Sequence, residues 1–126
     1  MLNGQHVLLC VIDKNEFLSD SSKEALAAAC KVAKDHSSKM SVYVSDVGGG
    51  ARSVETVRWH LRDQGVEEYQ LHEDETRPNC VAAALSDVAD ECNADLVVIS
   101  SAAVHAKHVD ANLLAEFCPC PLVMVP

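Results

Sequence analysis

No apolar run in this sequence approaches the roughly 18 residues that a membrane-crossing helix needs, and the amino end lacks a basic stretch leading into a hydrophobic core. Membrane insertion is therefore not expected, and no targeting address is visible. Basic charge is also scarce: 10 Lys plus Arg stand against 19 Asp plus Glu, a formal net charge of -9. Such a field repels phosphate backbones and anionic lipid, which disfavours nucleic acid as a partner. Aromatic residues are few, with one Trp, two Tyr and two Phe, too few for a base-stacking platform. No Ser-His-Asp or Cys-His arrangement can be assembled, and no general base, metal carboxylate set or lysine clamp is visible. An enzyme is not expected.

What is present fits one soluble domain spanning residues 1–126, large enough for a real core and too small for two. Hydrophobic residues make up 48% and charged residues 23%, close to the globular norm. The six cysteines, Cys10, Cys30, Cys80, Cys92, Cys118 and Cys120, sit mostly inside apolar periodic segments rather than in the loops of a secreted scaffold. They read as reduced thiols, so the expected location is the cytoplasm or another reducing compartment, including an organelle after removal of a transit segment.

From His6 to Ile12 the chain is almost continuously apolar and β-branched, as a strand covered on both faces of a parallel sheet should be. Ser21 and Glu24 have the form of a capping box, followed by Ala25, Leu26, Ala29, Cys30, Val32 and Ala33 at helical spacing. Met40 to Val47 reads as a second strand that breaks at Gly48-Gly49-Gly50. Ser53 is expected to cap a helix from Val54 to about Gln64, with Gly65 ending it. Glu67 to Glu73 is a weakly patterned strand with Tyr69 and Leu71 on one face. Pro78 suits the first turn of a third helix whose apolar face is Val81, Ala82, Leu85, Val88, Ala89 and Cys92. Leu96 to Ile99 is a buried strand, 109–117 a last helix, and Leu122 to Val125 a closing strand after Pro119 and Pro121.

Strands alternating with helical crossovers imply an α/β, doubly wound, Rossmann-like domain: a five-stranded parallel sheet with helices on both faces and right-handed connections. Ligands of such sheets sit beyond the carboxyl ends of the strands, where strand order reverses. Asp13, the segment from Asp46 to Arg52, and the segment from Ser100 to His108 are the places to look.

Three pieces then carry a family resemblance: Val-Ile-Asp13 closing the first strand, the block Ala94-Asp95-Leu96-Val97-Val98-Ile99-Ser100-Ser101, and the ending Cys118-Pro119-Cys120-Pro121-Leu122-Val123-Met124-Val125. In this order and spacing the chain resembles the universal stress protein family over nearly its whole length. The resemblance implies a HUP-like, adenine-nucleotide hydrolase-like fold, an Asp at position 13 that approaches nucleotide, and dimerisation through the last strand. Many family members carry G-x2-G-x9-G-(S/T) after the fourth strand, since glycine lets backbone N–H groups close around phosphates. Here the first two glycines fall on Ser100 and Ala103, the third with its hydroxyl partner on His108 and Val109, and the segment is shorter than the pattern. The resemblance thus implies the fold of a degenerate member, with the ATP site in doubt.

The candidate residues divide accordingly. If ATP or AMP binds, Asp13, Gly49, Gly50, Arg52, Ser100 and Ser101 are the contacts, with Gly48 to Arg52 as a phosphate nest at a helix start; the plainer reading of the glycines is a loop. His105 and His108 with Cys118 and Cys120 could in principle gather zinc, but their spacing matches no established motif, and no metal is expected. Cys118-Pro119-Cys120 lacks the spacer of a redox dithiol. Trp59 reads equally as a partner anchor and as a cap on the core. Leu122, Val123, Met124 and Val125 form an uncharged edge that invites a second chain. The leading expectation is a non-enzymatic stress-response or regulatory domain without a cofactor, a homodimer or a subunit docking on a protein partner in a larger assembly. The alternative is an ATP or AMP sensor with a rebuilt phosphate loop.

Overall fold

Every residue from Val7 to Ile12 is buried, so the first strand, β1 (His6–Ile12), is walled on both faces, as its unbroken apolar run requires. The structure is a computed structural model describing residues 6–12, 20–35, 38–45, 52–74, 81–100, 116 and 120–125. After β1 come α1 (Asp20–Asp35), β2 (Lys39–Ser45), α2 (Arg52–Asp63), β3 (Gln70–Asp74), α3 (Val81–Glu91), β4 (Leu96–Ser100) and β5 (Leu122–Val125). The expected helix over 109–117 lies outside the described residues except for Glu116, which is helical. No described helix is long and apolar enough to cross a membrane.

The five strands form one parallel sheet in the order β3-β2-β1-β4-β5. The chain therefore builds outward from β1 to one side, then returns through α3 to place β4 on the other. The switch point lies between β1 and β4, where the general rule for such sheets puts ligands.

Alternation along β1 separates two cores. Val7, Leu9 and Val11 face α1 and α2, meeting Leu26, Ala29, Cys30, Val57 and Leu61 together with Met40, Val42 and Val44 of β2. Leu8, Cys10 and Ile12 face the other way, against Leu85 and Ala89 of α3, Tyr43, Val97 and Ile99. Each fully buried Leu or Val contributes about 1.5–3 kcal/mol by leaving water. The small residues of α1, Ala25, Ala29 and Ala33, let that helix lie close on the sheet.

Helix ends follow local chemistry where glycine and asparagine permit. Gly65 has φ 83°, and the two backbone bonds of a Schellman ending close around it, Gly65 N to Arg62 O at 2.9 Å and Val66 N to Leu61 O at 2.9 Å. Val66 is buried in the same core as Leu61, the apolar contact that accompanies this motif. Asn93, at φ 54°, ends α3 in the same way, with Ala94 N bonded to Ala89 O at 2.9 Å.

Helix starts differ from expectation. Because α1 runs from Asp20, Ser21 lies inside the first turn instead of capping it, and its buried Oγ has no hydrogen-bond partner among the described residues. An acidic Asp20 in the first turn, which complements the helix dipole, takes part of the role assigned to the capping box. Likewise α2 runs from Arg52, so Ser53 is helical and not a cap. The third strand begins at Gln70, later than Glu67, because its ladder with β2 opens at Ser41 and Gln70; Tyr69 packs on the core from outside the strand. Trp59 does not cap the core, being 59% exposed, with its ring edge-on to His60 at 4.9 Å.

Candidate functional site

Parallel pairing brings the carboxyl ends of the strands to one edge. Ile12 ends β1 beside Ser45 of β2, and Ser100 ends β4 beside Val125 of β5, one residue past the pairing of Cys10 with Ile99. The chain thus carries the β1 and β4 ends to the two sides of the switch point. Of the residues expected there, Asp13, Gly49, Gly50 and Ser101 lie outside the described residues. Arg52 is the first residue of α2, so its backbone stands at that helix's amino end, the terminus that favours anions. Ser100 is 3% exposed and interacts within the chain. Beyond Gly65 the chain has no further glycine, and the segment after β4 therefore has none to spare for a phosphate loop.

Of the six cysteines, Cys80 and Cys118 lie outside the described residues. Cys10 and Cys30 are buried, Cys92 and Cys120 half-buried, and none of the four is in a disulfide. Burial pushes the Cys30 thiol up to about 11, against a small downward pull from Lys34, and burial likewise raises Cys92 despite its contact with Ser41. Neither is poised as a nucleophile. The candidate zinc residues His105, His108 and Cys118 lie outside the described residues, and among the described residues no group of three metal-ligating side chains occurs.

On the opposite, amino edge of the sheet the structure holds a polar cluster that sequence reading missed. His6 N donates to Asp95 Oδ2 at 2.9 Å, and Asp95 N donates to His6 O at 2.7 Å, stitching the start of β1 to the approach of β4. His6 Nε2 lies 2.6 Å from Ser41 Oγ, whose residue is completely buried. Burial lowers the His6 pKa, Lys39 adds to the effect, and Asp95 opposes it. A histidine opening a strand and an aspartate just before another were the only signals available.

The fifth strand is an edge: β4 occupies one side of it, and Val123 and Met124 are 41% and 51% exposed. Leu122 and Val125 are half-buried, packed against the two cores.

No family model matches the chain, and no curated protein matches it. Solved structures do. A universal stress protein in complex with cAMP is 20% identical, with a TM-score of 0.74 over 97% of this chain and 96% of that one. A universal stress protein from Archaeoglobus fulgidus in complex with dAMP is 23% identical, with a TM-score of 0.67 and full coverage of both chains, 100% and 100%. The universal stress protein UspA from Lactobacillus plantarum is 15% identical, with a TM-score of 0.73 and 97% coverage of each chain. At such identities the likeness is one of fold: a five-stranded parallel α/β sheet matched nearly end to end.

Proposed function

We propose that this chain, which has the fold of the universal stress proteins, is a non-enzymatic stress-response or regulatory domain with little or no ATP binding. In this reading it works as a homodimer or as a docking subunit of a larger assembly, in a reducing compartment. The observation that carries the reading is the pairing of an intact scaffold with a switch point lacking glycine: β1 and β4 are fully built, yet Ser100 is buried where the resemblance would place a phosphate-loop glycine. A fold that keeps its sheet and loses its phosphate cradle is suited to serve as a surface. The uncharged β5 edge, with Val123 and Met124 outward, supplies one such surface, and a second copy paired antiparallel would remove both open edges.

A nucleotide-sensing reading has its own support, since two of the similar structures hold cAMP and dAMP. It would use Asp13, Gly49, Gly50, Arg52, Ser100 and Ser101, with backbone amides and serine hydroxyls in place of glycine-loop contacts. Calorimetric titration of Mg-ATP and of AMP, with Asp13→Ala as control, separates the two. Silence up to about 1 mM ligand, a binding free energy weaker than about 4 kcal/mol, supports the scaffold. Micromolar binding that Asp13→Ala abolishes would replace it with the sensor.

A further inference from the structure

We propose a second ligand site, at the amino edge of the sheet, shaped for a small zwitterion with an apolar tail, the chemistry of a free apolar amino acid. It is separate from the switch point, and it holds whether or not a nucleotide binds there. A cavity of about 480 Å³ opens beneath the starts of β1 and β2, lined by His6, Ser38, Lys39, Met40, Glu68 and Tyr69 among others. A second cleft of about 310 Å³ adjoins it and shares Ser38, Met40 and Glu68. The larger volume lies in the range of small-molecule pockets, roughly 300–1,000 Å³.

The fold fixes the walls. His6 and Lys39 are paired as the first residues of neighbouring strands. Ser38 is held by its N–H, bonded at 2.8 Å to Ala33 O at the end of α1. Glu68 and Tyr69 belong to the stretch between the capped end of α2 and β3. Met40, 4% exposed, and Tyr69, packed on the core, give the cavity an apolar side. Lys39 and Glu68 give it one charge of each sign, and they form no ion pair with each other.

Two features define the ligand. First, Ser38 Oγ is buried and has no hydrogen-bond partner among the described residues. An unsatisfied buried hydroxyl costs about 1–3 kcal/mol, a penalty that a ligand oxygen beside it would relieve. Second, a cation and an anion lining one cavity match a carboxylate at Lys39 and Ser38 and an ammonium at Glu68. A ligand with a single charge would engage only one of them, and a phosphate ester would be repelled by Glu68 and the neighbouring Glu67.

The test uses the full chain and three kinds of probe in calorimetry: L-leucine and L-phenylalanine as zwitterions, isovalerate as the carboxylate alone, and isopentylamine as the ammonium alone. At least one zwitterion should bind about tenfold tighter than either half-molecule, a difference of about 1.4 kcal/mol. Lys39→Met and Glu68→Gln should each weaken it by about tenfold, with the melting temperature of the unliganded protein unchanged. Amide NMR shifts on binding should centre on Ser38 and Tyr69. The proposal is overturned if neither zwitterion binds at about 10 mM, weaker than about 3 kcal/mol. It is equally overturned if the half-molecules bind as well as the zwitterions, if the two variants bind like the native protein, or if the shifts appear at the opposite edge beside Ser100.

Discussion

Lys34 Nζ donates a 2.7 Å hydrogen bond to the backbone carbonyl of Gln64, joining the last turn of α1 to the end of α2. The contact places a cation where helix carbonyls are left over, so it serves both as a hydrogen bond and as a partner for the negative end of the helix dipole. Because the bond is exposed, Lys34→Met is expected to cost only about 0.5–1 kcal/mol. Urea denaturation in low and high salt checks this, and a salt-independent loss would show that the dipole has no part in it.

Next to it, Gly65→Ala tests the backbone instead of the contact. A Cβ there would meet only Lys34 Nζ at 3.7 Å, an ordinary separation, so the cost comes from the left-handed conformation at φ 83°. A loss of about 1–2 kcal/mol is expected, with Gly65→Asn losing less. Equal losses for the two replacements would argue for a steric cause.

The histidine at the amino edge makes stability depend on pH in a definite direction. His6 has a folded pKa below its ordinary 6.5, so between 6.5 and the lowered value the unfolded chain binds more protons than the native one. The contribution of neutral His6 is complete above pH 6.5 and is lost as pH falls through the folded pKa. Urea midpoints from pH 8 to pH 5 should fall more steeply for the native chain than for His6→Gln. Parallel curves would remove His6 as the source.

Dimerisation through β5 predicts a clean separation of assembly from folding. Met124→Lys places a charge on a side chain that is 51% exposed, so folding stability should change by less than about 0.5 kcal/mol. Light scattering should then show a dimer for the native chain and a monomer for the variant. A variant that remains dimeric would move the interface elsewhere.

Thiol labelling should follow burial. Cys30, completely buried and with its pKa pushed up to about 11, should resist a short N-ethylmaleimide pulse at neutral pH, while half-buried Cys120 reacts sooner. Peptide mass spectrometry reads the order, and early labelling of Cys30 would indicate that α1 opens locally.

Legibility in the sequence tracked how self-sufficient each signal was. The runs at His6–Ile12 and Leu96–Ile99 were readable because strands buried on both faces need no partner pattern to declare themselves. Gly65 was readable because an αL ending demands its residue type. Ser21 and Ser53 misled because a capping residue is defined by where the helix begins, which the first turn alone does not decide. Tyr69 and Leu71 alternate like strand residues, yet Tyr69 gains its burial by packing without joining the ladder. The amino-edge cluster was invisible since it joins His6 to residues 35 and 89 positions away. At the switch point, the absence of glycine after β4 was legible directly, while Ser100's burial required the folded chain.

The central position of β1 also bears on synthesis. It precedes the other four strands, pairs on one side with β2 as soon as the following helix is complete, and finds its other neighbour only when β4 emerges about ninety residues later. Until β4 emerges the nascent chain therefore carries an unpaired, apolar flank on β1, where a chaperone has its clearest reason to hold it.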